Sequence, residues 1–435
     1  MPPQQFTAEY WGSRPLLTRA ADNPNAGHPE SGLSELFSNA AADELLSTRG
    51  LRTPFLRVAK NGRTYAAGDY TAPGGVGAEI GDQLSDSKLL ALFADGATLV
   101  LQGLHRTWAP ISRFSGDLAA ELGHPVQVNA YVTPAQNTGF SDHYDVHDVF
   151  VVQIAGTKTW RIRPPVLAHP LRTQPWENRK AAVQQAATRP PLIETTLQPG
   201  DTLYLPRGFI HAASARGEVS THLTIGIHTW TGHHLGRQLQ SYAATRLAAD
   251  PRVRASLPAG IDLADTAAAA ADPAVIAAVD AARETLIAAI KAAPVSELVA
   301  ALAPAHRDGT RPEPVAPIAT VMAADSMAAE RMATEKTAAE GLAATGIAAD
   351  GPSEAPAVRL RAGLAARLER RGEELVLSSR LGVQPVEAAH EGALRSLLAG
   401  ETLAVAQLGV AETQHLLRAG VVVLAPIPGA SMPGG

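Results

Sequence analysis

Between residues 126 and 205 the chain carries four short runs of β-type residues, 126–132, 149–154, 157–162 and 202–205, separated by Gly and Pro turns. Apolar and polar side chains alternate along several of them, so each strand presents two unlike faces. Such runs read as strands, and most of the aromatic residues fall in the same N-terminal part of the chain. All five Trp fall within residues 1–232.

Beyond residue 232 the character changes. Residues 235–247 place apolar side chains at helical spacing, with Pro251 following, and 263–303 continue as Ala-rich helix. Residues 305–355 are rich in Ala, Pro, Glu and Thr. Pro312, Pro314 and Pro317 mark a linker there, and 322–344 could form an exposed helix. A last compact unit is expected over 356–427. It begins with runs at 358–368 and 375–378, has helical stretches near 385–398 and 411–419, and ends in a strand at 421–424. Residues 426–435 read as a disordered tail. A chain of 435 residues is expected to divide into two or three domains. The boundaries read here are 1–232, 233–305, 306–355 and 356–427.

Composition removes several classes of function. There is no cysteine, which excludes disulfides, thiolate zinc sites and cysteine nucleophiles, so a metal must rely on His and carboxylates. No stretch approaches the roughly 18 apolar residues of a membrane helix, and the N-terminus has no basic start before an apolar run. A cytoplasmic protein with no membrane partner is the expectation. The net charge of −5 gives no general attraction to nucleic acid, and a local basic patch is left open.

The densest chemical signal is Ser141-Asp142-His143-Tyr144-Asp145-Val146-His147-Asp148, followed about fifty residues later by Pro199-Gly200-Asp201 and Pro206-Arg207-Gly208-Phe209-Ile210-His211. Read as a strand, 143, 145 and 147 share one face, so an imidazole and a carboxylate two residues apart can hold one ion. His143 and His147 would then lie roughly 13 Å apart along the strand, too far to converge on one metal. That leaves His211, after the tight 206–208 turn, as the third ligand, with His147 lining the pocket or serving structure. Two His and one carboxylate leave open positions on an octahedral metal, as in non-haem iron oxygenases. Cupin isomerases use similar ligands with other ions.

Lys158 shares a face with Trp160 and Ile162, where an unpaired ammonium is expensive to desolvate. Either it snorkels to water or an anion in the pocket pairs with it. Gln127, Asn129, Tyr131 and Thr133 share a polar face, as do Ser220, His222 and Thr224. Alternation alone does not say whether these faces meet the cavity or solvent. If they meet the cavity, Tyr131, Asn129 and Thr224 can donate to what it holds.

The motifs resemble JmjC/cupin oxygenases of the ribosomal-oxygenase (cupin-4) type. The resemblance rests on Asn129-Ala-Tyr131-Val-Thr-Pro134, Gly139-Phe-Ser-Asp-His143-Tyr-Asp145 and Phe150-Val-Val-Gln153-Ile-Ala-Gly156-Thr-Lys158-Thr-Trp160-Arg161. Pro199-Gly-Asp201 with Leu205-Pro206 and His211 completes it, and the opening from Phe6 through Trp11 to Pro15 is similar too. It covers roughly residues 6–230. It implies an α+β chain: a double-stranded β-helix (cupin/JmjC) barrel, a helical dimerisation region and a winged-helix-like C-terminal module. By the same resemblance His143, Asp145 and His211 bind Fe(II), Lys158 binds the carboxylate of the co-substrate 2-oxoglutarate, and Tyr131 is the family tyrosine twelve positions before the first ligand. The implied activity is hydroxylation of a protein side chain, with a ribosomal protein as partner substrate and a homodimer as the assembly. The Ala-rich insertion at 305–355 departs from the pattern.

Other readings stay open. The same chemistry can serve a small molecule or peptide in biosynthesis, and a cupin isomerase or lyase would use zinc or manganese. A DNA-binding regulator with a cupin sensor domain is favoured mildly by the basic run from Arg359 and Arg361 to Arg367, Arg370 and Arg371, although such a run is usually a solvated helix face.

Overall fold

The computed structural model describes residues 1–22, 36–60, 62–77, 79–135, 141–339 and 356–425. The Gly139-Phe140 pair and the tail after 425 lie outside the described residues. The chain divides into two compact units, Met1–His306 and Arg307–Gly435.

Among the described residues of the first unit thirteen strands follow in chain order: β1 (Leu16–Thr18), β2 (Leu56–Lys60), β3 (Arg63–Thr64), β4 (Thr71–Ala72), β5 (Gln83–Leu84), β6 (Thr98–Leu101), β7 (Val126–Thr133), β8 (Asp148–Ala155), β9 (Lys158–Arg163), β10 (Ile193–Leu197), β11 (Thr202–Leu205), β12 (Ile210–Ala215) and β13 (Ser220–Ile227). Eight form one antiparallel sheet in the order β1-β11-β8-β13-β7-β6-β2-β3, and β10-β9-β12 form a second. Residues facing between the two sheets, Val151, Trp160, Ile162, Leu203 and Leu205, pack into one apolar cluster. The other face of β7 and β13 buries Val128, Ala130, Val132, Leu223 and Ile225 against Leu45 and Ile111 of helices Asn39–Ser47 and Ala109–Leu122. Covering that face with helices turns the polar lines of β7 and β13 inward. The ambiguity that alternation left is resolved by packing.

Two turns hold the site strands in register. Between β8 and β9, Gly156 adopts φ +58, and a Cβ there would lie 2.1 Å from the Val219 carbonyl oxygen. The Gln153 amide donates to the carbonyls of Ala155 and Gly156 and to Ser220 Oγ, so the turn is tied to β13. Before β12, Gly208 at φ +92 leaves no room for a Cβ, which would lie 2.7 Å from the Leu167 carbonyl oxygen. Buried Asp148 accepts from Tyr204 Oη at 2.7 Å and from the Arg207 backbone and guanidinium at 3.0 and 3.2 Å, fixing the start of β8.

Helices Gly232–Ala249, Pro273–Ala292 and Val295–Gly309 follow the barrel. In the second unit, strand Ala357–Leu360 lies between Leu403–Ala404 and Val422–Leu424, and a separate meander comprises Arg367–Arg371, Glu374–Ser379 and Gly382–Val386. Pro385, expected near the start of a helix, sits in the meander's edge strand, where its missing N–H is tolerated, and the helix begins at Glu391. The helix expected to be exposed runs Pro317–Ala339 and buries Ala324 and Met327 in this unit's core. The basic run lies on strands rather than a helix face. Its arginines are largely matched: Arg359 with Glu313, Arg367 and Arg371 with Glu369, Arg370 with Glu391. Among the described residues no single helix is long and apolar enough to cross a membrane.

Candidate metal centre

His143 and Asp145, expected on a strand, lie in the structure just ahead of β8, which begins at Asp148. What fixes them is a backbone bridge. His143 and His211 exchange two N–H to carbonyl hydrogen bonds of 3.2 and 2.8 Å, and the Gly208 N–H donates to the Asp145 carbonyl at 3.0 Å. Tyr144 points the other way, buried beside Val183 and Ile210 with its hydroxyl on the Gln174 carbonyl at 2.9 Å. Arg163 holds Asp142 at 2.6 Å. The 143–145 turn is thus anchored on three sides, and the face-sharing expected of a strand arises from this anchoring instead.

The ligand atoms of His143, Asp145 and His211 lie within 4.8 Å of one another. His211 Nε2 stands 3.6 Å from Asp145 Oδ2. His143 Nδ1–H donates to the Ser141 carbonyl at 2.7 Å, and His211 Nδ1–H to the Phe209 carbonyl at 3.0 Å. A carbonyl oxygen can only accept, so both rings carry a proton on Nδ1, which leaves Nε2 as the nitrogen that can ligate an ion. Burial, reinforced by His143, pushes His211 down to about 4, against the pull of Asp145, so it is neutral near pH 7. Burial raises the Asp145 carboxyl, but the imidazoles of His147, His211 and His143 and the Arg57 guanidinium outweigh it, leaving it below its ordinary value and ionised. Two imidazoles and one carboxylate at this spacing suit a divalent first-row metal.

The cluster opens into a cavity lined also by Tyr131, Val151, Lys158, Trp160, His222 and Thr224. Lys158 is 2% exposed, and its ammonium donates to Thr133 Oγ1 at 3.0 Å. Among the described residues no carboxylate pairs with it. Burial pushes it down to about 7. Burial and Asp145 push the Tyr131 phenol up to about 12, so it stays an O–H donor, and Arg57 hydrogen-bonds to it.

Of the residues singled out from sequence, His143, Asp145, His211, Lys158, Tyr131 and Thr224 come together here. Asn129 does not line the cavity: its side-chain oxygen accepts the Gly103 N–H at 3.1 Å. His147 also lies outside it, with Nε2 3.4 Å from the Gln127 amide nitrogen and its ring 5.2 Å from His228. The strand-rise argument against His147 therefore does not apply; the turning of the chain ahead of β8 separates it from the cluster. His222, Trp160, Thr133 and Arg57 were not assigned from sequence. His222 and Thr133 sat on faces whose direction alternation could not decide, Trp160 was read only as an apolar neighbour of Lys158, and Arg57 gave no local signal.

Residues 109–235 match the JmjC domain family. Proteins named as a ribosomal oxygenase and a histidyl-hydroxylase are similar to this chain. Ribosomal oxygenase 1 of Bos taurus is 31% identical over 238 residues, 53% of this chain and 32% of that protein. The bifunctional lysine-specific demethylase and histidyl-hydroxylase NO66 of Drosophila persimilis is 35% identical over 119 residues, 27% of this chain and 15% of that protein. The chain thus spans only about a third of the ribosomal oxygenase it matches. Among solved structures, Escherichia coli ribosomal oxygenase YcfD aligns over 98% of both chains at 14% identity and a TM-score of 0.48. A YcfD complex with cobalt and 2-oxoglutarate aligns at 16% identity over 98% of this chain and 99% of that one, with a TM-score of 0.46. The family resemblance of the motifs is borne out.

Proposed function

We propose that this chain is an Fe(II)- and 2-oxoglutarate-dependent oxygenase that hydroxylates a protein side chain, with ribosomal proteins the leading substrate class. One juxtaposition carries the reading. A His-Asp-His set whose imidazoles can each offer Nε2 to an ion shares a cavity with a buried lysine that has no carboxylate partner among the described residues. A metal site alone fits isomerases as well; the lone ammonium calls for an anion in the same cavity. Residues His143, Asp145 and His211 hold the metal, and Lys158 pairs with the distal carboxylate of 2-oxoglutarate. Tyr131 and Thr224 offer hydroxyls to the bound co-substrate. Bound iron and 2-oxoglutarate supply O2 activation, the co-substrate ending as succinate and CO2; the protein orients the partners and excludes water.

The wider organisation follows the same reading: oxygenase domain 1–232, helical dimerisation region 233–305, linker 306–355 and a winged-helix-like module 356–427, in a cytoplasmic homodimer. Support for the dimer is the exposure of Ile276, Val279, Ile287 and Ile290 on helix Pro273–Ala292. The paired arginines of the second unit count against a nucleic-acid surface. The test is mass spectrometry of ribosomal proteins from cells with and without the gene. A site that gains one oxygen atom only when the gene is present is expected. Loss of succinate formation in purified His143→Ala completes it, and a ribosomal proteome identical in both strains would refute the substrate class.

A further inference from the structure

His222 has no part in the reading above, yet it lies in the same cavity wall. It is on β13, 3% exposed, with Lys158 and His211 as its titratable neighbours. Its ring stacks on Tyr131 at 4.9 Å and 10°, and Trp160 meets it edge-on at 5.4 Å and 85°. Two aromatic contacts therefore fix the plane of the imidazole. Its Nδ1 is buried and has no hydrogen-bond partner among the described residues.

Buried polar atoms without partners are rare in folded proteins, and an orphan in a cavity wall points to a ligand or an ordered water. Burial, and after it the Lys158 ammonium, hold the ring well below its ordinary pKa, so it is neutral and keeps one N–H donor. Among the described residues Lys158 donates to one partner, the hydroxyl Thr133 Oγ1. Two donors from neighbouring side chains thus line one cavity, and the carboxylate that shares it, Asp145, belongs to the metal set.

We propose that His222 is a positioning residue for the co-substrate, donating a ring N–H to the distal carboxylate that Lys158 holds. The proposal rests on the reading of the cavity as a 2-oxoglutarate site. It goes further in assigning a second, uncharged donor, which sets the direction of the carboxylate plane where the lysine supplies only a point charge.

The test uses the full chain loaded with Mn(II) under anaerobic conditions and titration calorimetry with two ligands. One is 2-oxoglutarate; the other is 2-oxopentanoate, which has the same carbon count but lacks the distal carboxylate. His222→Phe keeps the stacking and removes the nitrogens, and His222→Asn returns an N–H donor near the place of Nδ1. His222→Phe is expected to weaken 2-oxoglutarate about tenfold, to leave 2-oxopentanoate and Mn(II) affinity nearly unchanged, and to be largely rescued in His222→Asn. If His222→Phe does not fold, His222→Leu against His222→Asn carries the same comparison. Unchanged 2-oxoglutarate affinity, or an equal loss for both acids, overturns the assignment. A wild-type protein that binds neither acid overturns the co-substrate reading itself, Lys158 included.

Discussion

Replacing Lys158 by methionine should make the ligand-free protein more stable and the enzyme worse. The side chain keeps its length and loses its charge, which is 2% exposed and neutralised by no carboxylate among the described residues. Burial moves the ammonium from its ordinary 10.5 to about 7. At about 1.4 kcal/mol per pH unit, that displacement sets a ceiling of about 5 kcal/mol on the cost of folding around the charged form. Local relaxation and the lost bond to Thr133 reduce it, so a gain of roughly 1–3 kcal/mol is expected near pH 6.5. The sign follows from linkage. Between about pH 7 and 10.5 the unfolded chain holds this proton and the folded chain does not, so stability rises with pH across that window. Methionine abolishes the term, and the advantage of Lys158→Met over wild type should shrink steadily from pH 7 towards 10. Denaturant melts of both proteins at pH 6.5, 8 and 9.5 measure it. Function should move the other way: the KM for 2-oxoglutarate should rise about ten- to several-hundredfold, as expected for loss of a buried charge-assisted contact. A variant less stable than wild type by the same amount at every pH, with unchanged 2-oxoglutarate dependence, would refute the buried-cation argument.

His143→Ala and His211→Ala should each lose bound metal and 2-oxoglutarate turnover, measured by metal analysis and succinate release, whereas His147→Ala should lower turnover and keep the metal. Gly156→Ala forces a Cβ to within 2.1 Å of the Val219 carbonyl oxygen; the turn must shift, and thermal melts should show a loss of at least about 2 kcal/mol. Asp148→Asn leaves Arg207 facing a neutral, mismatched amide beneath β8, and denaturant titration should register a loss of about 3 kcal/mol. Ile287→Asp on the exposed face of helix Pro273–Ala292 should convert a dimer to monomer in light scattering; an unchanged mass would contradict the proposed dimerisation region.

The barrel strands were legible because their signal is local. The run at 202–205 matches β11, and the runs begun at 126 and 149 fall within a residue or two of β7 and β8. The metal cluster was legible because spacing and residue type narrow the donors so far. What local pattern could not supply was direction. The polar lines Tyr131–Thr133 and His222–Thr224 read equally as solvent faces until helices Asn39–Ser47 and Ala109–Leu122 cover the opposite side and leave them nowhere to point but the cavity. The same limit explains Asn129 and Arg57. Asn129 shares a strand face with Tyr131, but a backbone N–H from Gly103, twenty-six positions earlier in the chain, takes its oxygen. Arg57 reaches Tyr131 from β2, which joins β7 only through β6. The 143–145 turn is the instructive case, since face-sharing on a strand would lead to the same pair of ligands. The cause differs, and the consequence does too: the geometry of His143 depends on the backbone bridge to His211 and on Tyr144 buried behind it. Disturbing the packing of Tyr144, which touches no cavity atom, should therefore loosen the metal set as surely as changing a ligand.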